Sequence, residues 1–212
     1  NWEAAKRTLK QGIQEMQDSI DISQYEIPEA SILKFYLEAI FESPELFYVV
    51  SACSYTYIPS SSGRIISSVS PCYTVNGSDR VDRLTDEDKQ EIRQQQTVLE
   101  QKLAEIMQKV RSDCSDLTKA MYLHDYIAVH CEYDSTLTFR DAYRMLINGT
   151  GVCQGYMLAY RLLLNRAGVT SSWVQSNSLR HVWSLVQLDG AWYHVDVTWD
   201  DSTWFAKSGR KY

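Results

Sequence analysis

Apolar positions along the chain follow two rhythms, and the rhythms divide it. Leu9, Ile13, Met16 and Ile20 recur three or four residues apart, so a helix is expected over residues 1–24. The stretch from Tyr25 to Ala30 contains Pro28 and reads as a break. A second helix is expected over Ala30–Phe41, with Ile32, Phe35, Tyr36, Ala39 and Ile40 in its stripe and Ser43-Pro44 as its stop. Phe47–Ile58 and Arg64–Val75 are instead rich in Val, Ile, Tyr and Thr, and Pro59–Gly63 between them is turn chemistry, which predicts a hairpin. A turn centred near Ser62 sets Cys53 roughly opposite Cys72, as a cross-strand disulfide or as two buried thiols.

Helical periodicity returns after a polar loop over Asn76–Arg83. Thr85 followed by Asp86, Glu87 and Asp88 puts a hydroxyl at the N-cap and acids on the first turn, where they meet the positive end of the helix dipole. Ile92, Val98, Leu99, Leu103, Ile106 and Val110 carry the inward stripe of this helix to Arg111. Ser115 starts another that reaches Val129, antiparallel to the first. That helix is roughly 24 Å long, so Cys114 and Cys131 at its two ends cannot bridge each other. A short helical stretch is expected over Leu137–Ile147. Beyond it come a glycine turn (Gly149, Gly151), an apolar helix closed by Gly168 as a left-handed cap, and strands over 169–176, 181–188 and 191–199. Residues 1–111 thus read as an N-terminal helical and β-hairpin region, and residues 112–212 as an α+β core.

Composition removes several classes of function. Apolar residues make up 44% and charged residues 23% of the 212, an ordinary globular balance. A net charge of −6 without a basic run offers no footprint for nucleic acid. No apolar stretch approaches the roughly 20 residues of a membrane helix. Five cysteines leave at least one unpaired within the chain, and none has zinc-ligand spacing, so neither metal nor cofactor is expected. The chain begins with Asn, and Ser208–Tyr212 reads as the middle of a loop. The expectation is a fragment or processed form that has lost a signal peptide, located outside the cell or at its surface.

Candidate chemistry gathers in the second half. Cys153 sits where the glycine turn becomes a helix, where the dipole and the free amides favour a thiolate and suit an oxyanion. Gly155 leaves bare backbone two residues on, for a substrate to approach. Asp189-Gly190 is a two-residue hairpin signal, and it sets a register: Leu188 opposite Ala191, Leu185 opposite His194, Trp183 opposite Asp196 and His181 opposite Thr198. Alternation then gives one face to Val182, Val186, Leu188, Tyr193, Val195 and Val197 as core. The other face carries His181, Trp183, Leu185, Trp192, His194 and Asp196. His181 and Asp196 are diagonal neighbours there, about 7–8 Å apart at the backbone and within reach of a His–carboxylate hydrogen bond. With the Cys153 helix packed on this face, a nucleophile, a base and an orienting carboxylate stand together. His194 competes as base, and Asp200 and Asp201 compete as the acid. Gln154, Trp183 and Trp199 are the substrate or oxyanion candidates. His124 and His130 lie six apart on one helix and do not share a face, so no metal pair is read there; Tyr133 and Asp134 read as structural.

Gly151-Val152-Cys153, His181-Val182-Trp183 and the run from Asp189-Gly190 through Trp192-Tyr193 to Asp196-Val197-Thr198-Trp199-Asp200 resemble the transglutaminase-like superfamily, especially its bacterial members. The similarity covers Asp116 to Asp201 and includes Tyr133-Asp134; Ser184 departs from it, standing where relatives often have Asn. The resemblance implies a papain-like α+β fold and a triad of Cys153, His181 and Asp196 in that chain order. It implies a protein or peptide substrate, with cell-wall-associated substrates among the options. Its chemistry would be hydrolysis of an amide or peptide bond through a thioester acyl-enzyme. Protein-glutamine acyl transfer is the alternative, and a non-catalytic surface interaction module that keeps the fold is another. Hydrolysis is favoured because the chain is a short catalytic unit without a calcium-binding acidic loop.

Overall fold

Helix α1 (Trp2–Gln14) opens the chain and buries Ala5, Leu9 and Ile13 on one face. This computed structural model describes residues 1–61 and 63–201; Ser62 and the loop expected at Ser208–Tyr212 lie outside the described residues. The chain divides into two units, residues 1–93 and 94–212.

In the first unit the opening helix is shorter than its periodicity implies. Met16 takes a left-handed backbone (φ 55°), and Ile20 leaves the helix to pair with Val69 as strand β1 (Ile20–Asp21). Met16 and Ile20 are buried all the same, so the apolar spacing survives a change of element. Helix α2 (Ile32–Phe41) buries Phe35, Tyr36, Ala39 and Ile40. The hairpin forms from β2 (Val49–Ser60) and β3 (Gly63–Tyr73), and the sheet order is β1-β3-β2. Register shifts along β2 set Cys53 opposite Pro71, with Cys72 one residue beyond. Both thiols are free and partly buried, and burial pushes the Cys53 thiol up to about 11. Helix α3 (Asp86–Met107) begins at a reciprocal cap: the Asp88 carboxylate accepts from Thr85 N at 2.8 Å, and Thr85 Oγ1 accepts from Asp88 N at 3.1 Å. It stops short of Arg111, and Val98 is exposed rather than inward.

The second unit carries the cysteine helix. Helix α4 (Asp116–His130) starts where Ser115 Oγ accepts from Thr118 N. Strand β4 (Glu132–Tyr133) then pairs in parallel with β5 (Thr150–Gly151), strands too short to show any periodicity. Helix α5 (Ala142–Ile147) is only the second half of the helical stretch expected from Leu137. Leu137 is left-handed (φ 58°), and the Asp134 carboxylate gathers the amides of Thr136, Thr138 and Phe139, so these residues form a loop. Helix α6 (Cys153–Arg166) is buried from Gly155 through Leu164, and Gly168 closes it with φ 75° as expected.

Helix α6 packs on β7 (His181–Leu188), the central strand of an antiparallel sheet with β6 (Ser171–Ser176) and β8 (Ala191–Val195) at its edges. The Asp189-Gly190 register holds, with Leu188 opposite Ala191 and Leu185 opposite His194. Pairing ends at Ser184–Val195, however, so the third strand does not reach Trp199. Asp196 instead caps the one-turn helix α7 (Val197–Asp200), and Tyr193, expected in the core, is exposed on the edge strand. No helix among the described residues is long and apolar enough to cross a membrane.

Candidate active site

Three chain segments bring the catalytic candidates together. Cys153 is the first residue of α6, and the apolar Val152 at its N-cap offers no side-chain acceptor to the first-turn amides. The approach to the helix is pinned by the Val152 amide, which donates to Phe139 O at 2.9 Å. Gly151 lets the chain pass close at this approach: a Cβ there would stand 2.8 Å from Met145 Sδ, and that side chain would have to shift. His181 is the first residue of β7, and Asp196 stands between β8 and α7.

The imidazole of His181 links the other two. Its Nε2 is 2.6 Å from Asp196 Oδ2, which leaves Nδ1 for the hydrogen bond with Cys153. The second oxygen of Asp196 accepts from Trp199 N at 3.3 Å, so one carboxylate both orients the base and starts α7. That turn in turn sets Trp199 on the imidazole, with centroids 5.4 Å apart and planes 19° off parallel. Trp183 also stacks on His181 at 5.7 Å. Only 10% of the His181 side chain is exposed, so the indoles and the sheet hold it in one orientation.

Burial lowers the basicity of His181, but the hydrogen bonds and charges of Asp196 and Cys153 outweigh it, and the imidazole is raised to about 9. Burial pushes the Cys153 thiol up. The His181 contact and the amides of Val182 and Gln154 outweigh that, and the thiol is held below its ordinary range. Both shifts favour a thiolate–imidazolium pair, the reactive form of a cysteine nucleophile.

A cleft of about 550 Å³ opens onto this pair. Tyr133 at the end of β4 and Leu137 and Arg140 from the loop after it form one side; Leu179 and Arg180, from the turn between β6 and β7, form another. Trp199 and Thr198 line it from α7. Asp134 shapes the first side from behind: it accepts four hydrogen bonds from Thr136, Thr138 and Phe139, which together hold its carboxyl below the usual range against the opposing effect of burial.

Among the other candidates, Trp199 lines the cleft, whereas Trp183 and Gln154 are not among its lining residues. Trp183 donates from Nε1 to His194 Nδ1 at 2.8 Å, which engages the competing base, whereas the Cys153 thiol is paired with His181. Asp200 is bound to His124 Nε2 at 3.0 Å, and the fully buried Asp201 accepts from the Tyr156 hydroxyl. Gly155 is buried with its bare side toward Asp141 O and Met145, so it serves packing against α5 rather than substrate approach. Sequence patterning missed Leu137, Arg140, Leu179 and Arg180, which lie in loops without periodicity; the one signal for Arg180 is its place immediately before His181.

The profile of the Transglutaminase-like superfamily matches residues 89–197, just over half of the 212. The match spans Cys153, His181 and Asp196. Two solved structures are similar in part. A TGase is 13% identical with a TM-score of 0.42, covering 70% of this chain and 44% of its own. A "putative cysteine protease" of Cytophaga hutchinsonii is 13% identical with a TM-score of 0.38, covering 69% of this chain and 62% of its own. The chain therefore spans less than two thirds of either protein. No curated protein matches it.

Proposed function

The chain belongs to the transglutaminase-like superfamily, which supports a cysteine-dependent catalytic role, and from that premise we propose that it hydrolyses an amide or peptide bond with Cys153, His181 and Asp196 as its triad. One observation carries the reading: the continuous hydrogen-bonded line from Cys153 through His181 to Asp196, in which the thiol is lowered and the imidazole raised.

In this reading the Cys153 thiolate attacks the carbonyl carbon, and the S–C bond forms as negative charge moves to the carbonyl oxygen. The first-turn amides of α6, which receive no side-chain cap from Val152, are suited to receive that charge. The His181 imidazolium gives its proton to the leaving nitrogen as the C–N bond breaks, leaving a thioester. His181, now neutral, takes a proton from water as the water oxygen attacks. The C–S bond then breaks, the acid leaves and the thiolate returns. Asp196 keeps the ring oriented through the Nε2–Oδ2 hydrogen bond.

The test has two parts. Alkylation of Cys153 by iodoacetamide, followed against pH by mass spectrometry of its peptide, is expected to show a titration well below the ordinary thiol value of about 8.5. An ordinary value would favour an interaction module. Glutaminyl and peptide substrates, supplied with and without a primary amine, are expected to release acid faster than they incorporate amine; the reverse ratio would make the protein an acyltransferase.

A further inference from the structure

The cleft over Cys153 carries a charge pattern that the composition does not predict. The chain holds 27 acidic against 21 basic residues, yet among the described residues the lining of the cleft includes Arg140 and Arg180 and no Asp or Glu. The two arginines arrive from different segments, one after β4 and one before β7. Both are exposed, and neither makes an ion pair among the described residues. The Arg140 guanidinium donates a hydrogen bond to Leu137 O at 3.0 Å, and a guanidinium carries about five N–H donors in all.

Arg180 is also held in an unusual backbone state. It is left-handed at φ 48°, a conformation that favours Gly or Asn. The turn is braced around it, with Arg180 N donating to Asn177 O at 3.2 Å and Leu179 N donating to Ser176 Oγ at 3.3 Å. The backbone that carries this long cationic side chain is thus fixed immediately before the base, where backbone preference alone would choose a small residue.

We propose that Arg140 and Arg180 are specificity-determining residues that select an acyl donor bearing a carboxylate close to its scissile amide. Arginine's planar fork of donors matches a carboxylate, and among the described lining residues no Asp or Glu competes for the two guanidinium groups. The carboxylate is either the side chain of a neighbouring Asp or Glu or the free C-terminus of a short peptide. A Lys or Arg side chain at the same place is repelled. This rests on the Cys153 cleft as the substrate site, and it deepens the hydrolytic reading without depending on turnover.

Protection of Cys153 from iodoacetamide in the full chain tests the proposal. The probes are three N-acetylated glutaminyl tetrapeptides: a C-amidated one with Glu beside the Gln, one of neutral side chains with a free C-terminus, and a C-amidated neutral one. At least one anionic peptide is expected to protect at about 10-fold lower concentration than the neutral peptide, and the better of the two identifies the source of the carboxylate. In the Arg140→Gln/Arg180→Gln double variant that advantage falls to within about 2-fold, judged against the variant's own neutral-peptide value, and the paired Lys substitutions restore part of it. Equal protection by all three peptides, no protection by any, or an advantage that survives in the double variant overturns the proposal. Selective protection without hydrolysis would instead leave this inference standing and reject the hydrolase.

Discussion

Asp196→Asn separates the charge of the orienting carboxylate from its shape. Asn keeps an oxygen for the Trp199 amide, so α7 should still form, while His181 loses its ionic partner. The imidazole stands at about 9 against an ordinary 6.5, which corresponds to about 3 kcal/mol in favour of its charged form. Asp196 shares that effect with Cys153, and a cleft open to water screens part of it, so about 1–2 kcal/mol belongs to the carboxylate. The His181 titration, followed by NMR of carbon-labelled histidine and assigned with a His181 variant, should therefore drop by about one pH unit. The sign for stability follows from the raised imidazole: its contribution is full below pH 6.5 and is lost as pH rises through about 9. Thermal unfolding should show the variant destabilised by about 1–2 kcal/mol at pH 6 and by little at pH 10. A His181 midpoint still at about 9, or an equal loss at both pH values, would refute the assignment of Asp196 as the cause.

Other outcomes follow from the packing around the site. Cys153→Ala should abolish turnover, by at least about 10³-fold, while thermal unfolding changes little. Gly151→Ala must displace the Met145 sulfur from 2.8 Å and should cost about 1–3 kcal/mol in thermal denaturation; a neutral result would mean that Met145 moves freely. Asp134→Ala strands four donors and should cost about 2–3 kcal/mol at pH 7. Because the Asp134 carboxyl is lowered, its contribution is present above the ordinary 3.8 and fades as pH falls through the folded value, so wild type and variant should converge in acid. Trp199→Ala removes a ring from both the cleft and the imidazole and should lower kcat/KM by about 10-fold, against about 3-fold or less for Trp183→Phe, which leaves an aromatic ring on His181.

Much of the site was legible because its chemistry is tied to local rules. A cysteine after a glycine turn and before an apolar run marks a helix start, and a two-residue Asp-Gly turn fixes strand pairing by geometry alone. The register from Leu188 and Ala191 to Leu185 and His194 followed directly. It did not extend to Trp183 and Asp196, since nothing local to the strand announces that Asp196 will turn from pairing to capping a helix. The His181–Asp196 bond survives because a diagonal neighbour and a cap at the strand's end are both within side-chain reach.

The sequence by itself therefore determined the α+β class, the position of Cys153 at a helix start, and the hairpin register from Leu188–Ala191 to Leu185–His194, all consequences of periodicity and turn chemistry. Tertiary structure decided what periodicity cannot encode. It moved Ile20 from helix to strand, unwound Leu137 around the Asp134 carboxylate, and gave Asp200 and Asp201 to His124 and Tyr156. It also brought Arg140 and Arg180 to one cleft from loops about 40 residues apart, because side chains on non-repeating backbone meet only after the helices and strands between them have packed.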